Sequence, residues 1–216
     1  MNRIVLIAAI GVLPLLSNAQ DAPSPRSAGA EFYFESGWDF INFSNLNNAL
    51  AAAQIKQVTP AVYHLGVGLS VRFSQLIFGT DLGFMTGAQA NEVTGSTVHF
   101  YFSTNELRTR TCIFSPEVGV ALQDVQVLVP GTSTASTFSE ALHSGNETQV
   151  DNFNTTLNVG MAFKIRQGLH DIPVFRMGYR YGLSNPQWEL RDAAVSGAPR
   201  DRLSSFFVEL TVGFGS

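Results

Sequence analysis

The sequence predicts an all-β chain folded as a closed, eight-stranded antiparallel transmembrane β-barrel of up-and-down topology. Three observations carry this. Alternation of apolar and polar residues with period two, the signature of a strand with two unlike faces, recurs in eight segments. Each apolar band covers about 9 to 13 residues, near the roughly 9–11 that a tilted strand needs to cross a bilayer. The composition is 45% hydrophobic and only 14% charged, against roughly 25% charged in an ordinary soluble domain. Seventeen Phe stand beside two Lys, Lys56 and Lys164, so a lysine-coated surface is absent. A net charge of -4 spread along 216 residues excludes nucleic acid as a partner. The one cysteine, Cys112, excludes an internal disulfide or a cysteine-rich metal site.

The chain opens as a secreted one. Met1-Asn2-Arg3 is a short basic start, and Ile4 to Leu16 is apolar apart from Gly11 and Pro14. Ser17-Asn18-Ala19 then sets small residues before Gln20. This predicts a signal peptide over 1–19, cleaved at Ala19-Gln20; the apolar run is too short for a spanning helix. Residues 20–29 form an N-terminal segment, and 30–214 the barrel.

The eight segments follow in order. Ala30 to Phe40 sets Phe32, Phe34, Trp38 and Phe40 against Glu31, Glu35, Gly37 and Asp39. Pro60 to Phe73 sets Leu65, Val67, Leu69 and Val71 against His64, Gly66, Gly68, Ser70 and Arg72. The third opposes Leu76, Phe78, Leu82 and Phe84 to Gly79, Asp81 and Gly83, and the fourth Val98, Phe100 and Phe102 to Thr97, His99, Tyr101 and Ser103. In the fifth, Phe114, Val118, Val120 and Leu122 oppose Ser115, Glu117, Gly119 and Gln123. The sixth runs Phe153 to Ile165, with Asn154, Thr156, Asn158, Gly160, Lys164 and Arg166 on its polar face. The seventh opposes Phe175, Met177, Tyr179 and Tyr181 to Arg176, Gly178, Arg180 and Gly182. The last sets Phe206, Val208, Leu210, Val212 and Phe214 against Ser205, Glu209, Thr211 and Gly213.

Connections alternate in length. Those at Ser74, 105–109 and 167–171 are short; those at 41–59, 87–95, 124–151 and 185–202 are long. Short turns on one side and long loops on the other are the habit of outer-membrane barrels, and an even strand number brings both termini to the turn side. After Asp124 the apolar positions change phase to Val125, Val127 and Val129, which predicts a bulge where the strand rises above the membrane.

Alternation alone does not say which face points in, and a soluble lipocalin-like calyx shares the pattern. The apolar faces total roughly 37 large residues, too much bulk for an interior that side chains just fill at eight strands. The polar face instead carries repeated glycine, which makes room inside a narrow barrel. The apolar face is therefore expected to meet lipid.

The terminal pattern Phe206-x-Val208-x-Leu210-x-Val212-x-Phe214 resembles the C-terminal signal of bacterial outer-membrane proteins, although Gly215-Ser216 trail past the aromatic. With the cleavage site and the strand count, the mature chain resembles the small OmpA- and OmpX-like barrels. Its Ala-Gln junction and Gly-rich strands look most like the Bacteroidetes outer membrane beta-barrel families that include PorT-like proteins. The resemblance implies the barrel assembly machinery and outer-membrane lipid as partners, location in the bacterial outer membrane with periplasmic termini, and, for PorT-like proteins, an accessory part in secretion.

The inward face gathers the candidate site, a lumen ionic network of Glu31, Glu35, Asp81, Glu117, Glu209, Arg72, Arg176 and Arg180, with Asp39, Lys164 and Arg166 on the same face. Buried charges persist when partnered. Glu35, Glu209, Arg176 and Arg180 are expected at similar depth, as a plug of ion pairs. His64 and His99 also face inward, while His143 and His170 fall in a loop and a turn. No His-x-Ser pattern faces lipid, so neither catalytic residues nor an enzyme is expected. A metal set of His64, Asp81 and His99 is conceivable, yet no ligand spacing supports it, and no cofactor is implied. The loops at 41–59, 124–151 and 185–202 are the candidate surfaces for an envelope or surface partner. Residues 46–57 have helix-friendly composition and could cap the mouth, and Trp188 with Arg191 is a candidate recognition pair. The expected role is non-enzymatic, structural or as an interaction platform; a small-solute channel, a lipid-modifying enzyme and the soluble calyx are the alternatives.

Overall fold

The computed structural model describes residues 29–73, 76–87, 93–104, 107–108, 112–131, 135–142, 147–165, 174–191 and 193–215. The expected leader, Ser74, Arg166, His143 and His170 lie outside them. Eight long strands run in chain order: β1 (Gly29–Ile41), β2 (Ala61–Phe73), β3 (Leu76–Thr86), β4 (Val93–Thr104), β5 (Cys112–Pro130), β6 (Glu147–Ile165), β7 (Val174–Gly182) and β8 (Ser205–Gly215). Each pairs antiparallel with its sequence neighbours. The ring closes between β8 and β1, where Phe34 stands opposite Val212 and Gly37 opposite Glu209. Closure leaves no unpaired edge, which lipid would not tolerate.

Side-chain parity resolves the question that alternation left open. Phe32, Phe34, Trp38 and Phe40 point outward and stay about half exposed, while Glu35 and Asp39 between them are buried. The same holds around the ring, with Phe78, Phe84, Phe153 and Val159 outside. An apolar belt outside and a filled polar interior exclude the soluble calyx.

Above the belt the polarity inverts. Val62, Met85, Val125, Val127, Val129 and Val150 are inward and buried. They form one cluster with residues from the long connections, among them Phe43, Leu46, Leu50, Phe138, Trp188 and Leu203. The bulge expected after Asp124 is absent. Pairing of β5 with β6 runs unbroken from Cys112–Ile165 to Pro130–Glu147, and the odd-numbered residues of β5 stay inward throughout, from Ala121 to Val129. What changes is the solvent. Below, the outward residues of β5 are Val118, Val120 and Leu122; above, they are Asp124 and Gln126, so the same inward parity becomes apolar where the outer face is suited to water. The expected loop at 124–151 is accordingly shorter, since β5 runs to Pro130 and β6 starts at Glu147. Within the expected turn at 105–109, Leu107–Arg108 pair with Phe114 and Ile113.

The first long connection forms helix α1 (Ser44–Ala52), which buries Leu46 and Leu50, one turn apart, in the cluster. Its own N-cap residue, Phe43, supplies no side-chain cap. Asp201 of the last loop does so instead, accepting hydrogen bonds from the backbone N–H groups of Asn45 (3.0 Å) and Leu46 (2.9 Å) and from Trp188 Nε1 (2.9 Å). One buried carboxylate thus ties the first loop to the fourth. Asp201→Ala is expected to destabilise this cap by about 2 kcal/mol, read as earlier urea unfolding of the loops and faster amide exchange at Asn45 and Leu46. Unchanged exchange at both would contradict the assignment. The third long connection contains a short helix, α2 (Phe138–Ala141), capped by Thr137, whose side chain accepts from Glu140 N.

Candidate functional site

Titratable groups converge in the polar lumen, which is built in tiers. Nearest the loops, Arg180 from β7 bridges Asp39 of β1 and Glu209 of β8, with Nη2 2.6 Å from Glu209 Oε1. His64 of β2 stands in the same tier. Its Nδ1 lies 3.2 Å from Glu209 Oε1 and 3.6 Å from Asp39 Oδ2, and its Nε2 lies 3.4 Å from Glu35 Oε1.

One tier down, Arg176 donates from Nη1 to Glu35 (3.1 Å) and from Nε to Glu117 (3.0 Å). Its Nη1 also sits 3.6 Å from Glu209 and 3.8 Å from Asp81. Asp81 is held in turn by His99 Nδ1 at 3.0 Å and by the Tyr33 hydroxyl, which donates at 3.3 Å. Both guanidinium groups stack on rings, Arg176 4.7 Å above Tyr101 and Arg180 4.2 Å above Phe207, a favourable placement for a cation away from water.

Glycine explains how so much fits. Tyr33 lies over Gly68, its partner across β1–β2, and His64 over Gly83, so that a Cβ at either glycine would run into the ring. The bulk of one strand occupies the side-chain space its neighbour leaves empty.

The structure brings together Glu35, Asp81, Glu117, Arg176, Arg180 and Glu209. Glu209 is opposite Arg176 across β7–β8. Glu31 and Arg72 lie towards the turn end, where they line a cavity of about 90 Å3 together with Lys164, Glu117 and Arg176. Three members lie outside the expected network: Asp39, expected as an inward acid, and His64 and His99, expected as inward histidines and conceivable metal ligands. The closeness of Asp39 and His64 to Glu209 depends on β1–β2 and β1–β8 register, which alternation does not specify.

The conceivable metal set also differs. His99 does contact Asp81, but the ligand atoms that approach one another, within 4.8 Å, belong to Asp39, His64 and Glu209. Arg180 already bridges two of these carboxylates, so the group reads as an ion-pair network.

The loop residues fall otherwise than expected. Trp188 is not displayed: it is fully buried, packs 6.3 Å from the Phe43 ring and donates to Asp201. A large apolar ring in a water-facing loop gains most by entering the cluster beneath it. Arg191 remains exposed, in a left-handed backbone conformation (φ 45°). Phe206, Val208, Leu210, Val212 and Phe214 all point outward from β8, into the belt.

No known family profile and no curated protein matches this sequence. Among solved structures, Neisserial surface protein A is similar over 87% of this chain and 98% of its own, at 12% identity and a TM-score of 0.51. The N-terminal β-barrel domain of Pseudomonas aeruginosa OprF is similar over 88% of this chain and 100% of its own, at 10% identity and a TM-score of 0.40. In strand number, antiparallel order and closure, the chain has the fold of Neisserial surface protein A, a closed eight-stranded antiparallel barrel.

Proposed function

We propose that the protein is an integral barrel of the bacterial outer membrane, with a structural or interaction role that needs no catalysis and no open pore. The observation that carries this is a lumen closed twice. Arg176 and Arg180 lock five carboxylates across the barrel, and the loop-end cluster seals the mouth above them. The apolar belt supports insertion in lipid. In this reading the 1–19 leader directs export, the barrel assembly machinery reads the Phe206 to Phe214 pattern, and the termini are periplasmic. The connections at 41–59, 124–151 and 185–202 then form the outer surface, braced from beneath by Leu46, Phe138 and Trp188, on which an envelope partner would dock.

Planar-bilayer recording tests the sealed lumen. The refolded barrel is expected to insert without unitary current at moderate voltage. A stable, reproducible conductance step would favour the small-solute channel and overturn the plug. Lipid A mass spectra with and without the protein are expected to be identical; a mass change that depends on the protein would favour an enzyme instead.

A further inference from the structure

We infer that the loop-end rim binds one phosphate-bearing lipid headgroup at Arg202, an inference that rests on the membrane reading above. A polar cleft of about 270 Å3 opens there, lined by Asn42, Ser44, Asn45, Asn185, Arg202 and Ser204. It sits directly above the outward row of Phe40, Phe206 and Tyr179, which are register partners on β1, β8 and β7. All three are about half exposed. Tyr179 also lines the cleft, so cleft and belt are continuous. Headgroup chemistry and acyl-chain chemistry therefore meet at one edge, the level at which barrels carry aromatic girdles.

Arg202 is set at that edge by its neighbours. Its backbone carbonyl accepts from the Asn154 side chain. Its Nη1 donates to the Tyr181 hydroxyl at 2.6 Å, with the guanidinium 5.7 Å from that ring. A guanidinium has five N–H donors in a planar fork, and among the described residues Arg202 forms no ion pair. Asp201, also in the cleft wall, is buried, and both of its oxygens are engaged by the N–H groups of Asn45, Leu46 and Trp188. A phosphate ester supplies the pair of oxygens that the fork matches, and the amides and hydroxyls of Asn42, Asn185 and Ser44 suit the hydroxyls of a glycerol or sugar headgroup. The acyl chains would then run down Tyr179, Phe206 and Phe40.

The test uses the refolded chain in neutral detergent, with phosphatidylglycerol and a phosphate-free glycolipid, monogalactosyldiacylglycerol, offered together and retained lipids counted by native mass spectrometry. The wild type is expected to keep one phosphatidylglycerol in at least tenfold preference. Arg202→Gln should lose that preference, whereas Arg191→Gln, which removes a cation elsewhere on the outer surface, should keep it. Equal retention by Arg202→Gln and wild type would overturn the inference. So would glycerol phosphate displacing the lipid at equal concentration, which would make the free headgroup the ligand. Insertion into pure phosphatidylcholine vesicles is scored in parallel: a chain that fails to insert refutes the membrane reading, and the site with it, whereas a chain that inserts without preference refutes the site alone.

Discussion

Replacing Arg180 with alanine is expected to destabilise the barrel by about 3–5 kcal/mol, the cost of leaving buried charge without its partner. Asp39 and Glu209 both lose their guanidinium, and neither is exposed enough for water to take its place. The loss is measured as a lower urea midpoint for the folded fraction in vesicles. No conductance should appear, because the loop-end cluster still closes the mouth; an ion current in the variant would contradict the plug. Replacing Arg180 and Glu209 together by leucine should recover part of the loss, since an apolar pair leaves fewer orphaned charges than a half-pair. A midpoint for Arg180→Ala within error of wild type would show that the pairing does not hold the lumen together.

Trp188→Ala should cost a similar amount, about 3–5 kcal/mol, but in a different place. Trp188 is wholly buried between the loops and holds Asp201 and Phe43, so its removal opens the mouth cluster without touching Arg176 or Glu35. The expected signature is split: proteases begin to cut the connections at 41–59 and 185–202, while the unboiled barrel keeps its own mobility in SDS. A variant that keeps protease resistance would contradict the assignment of Trp188 as the anchor of the cap.

These two substitutions mark what could and could not be read in the sequence. Strand number, side-chain parity and the inward placement of Arg176, Arg180 and Glu209 were legible, because each depends on spacing along one strand. Partnership across strands was not. His64 meets Asp39 and Glu209 only through the registers that place Gly37 opposite both His64 and Glu209, and a shift of two residues would preserve the same alternation. Trp188 misled for a related reason. An aromatic flanked by Glu189 and Arg191 looks displayed, yet the ring turns down onto a cluster whose existence depends on Val125, Val127 and Val129 staying inward. That valine run is visible in the sequence, where a bulge and a change of surroundings give the same phase change; the unbroken register shows that the backbone does not change. A switch of the apolar parity from outward to inward, as between Leu122 and Val125 or between Tyr63 and Val62, marks where a barrel strand leaves the membrane. Asp201 carried no local signal, since it caps a helix more than a hundred residues earlier in the chain.

The central claim is a closed barrel whose apolar belt faces lipid. It is tested most directly by refolding the mature chain in detergent and comparing boiled with unboiled samples on an SDS gel. A closed barrel resists cold SDS because unfolding must break a ring of strands with no free edge, so the unboiled band should migrate apart from the boiled one. Identical mobility, together with a chain that stays soluble when detergent is removed, would contradict the account and place Phe34, Phe84 and Phe153 in a core instead of a belt.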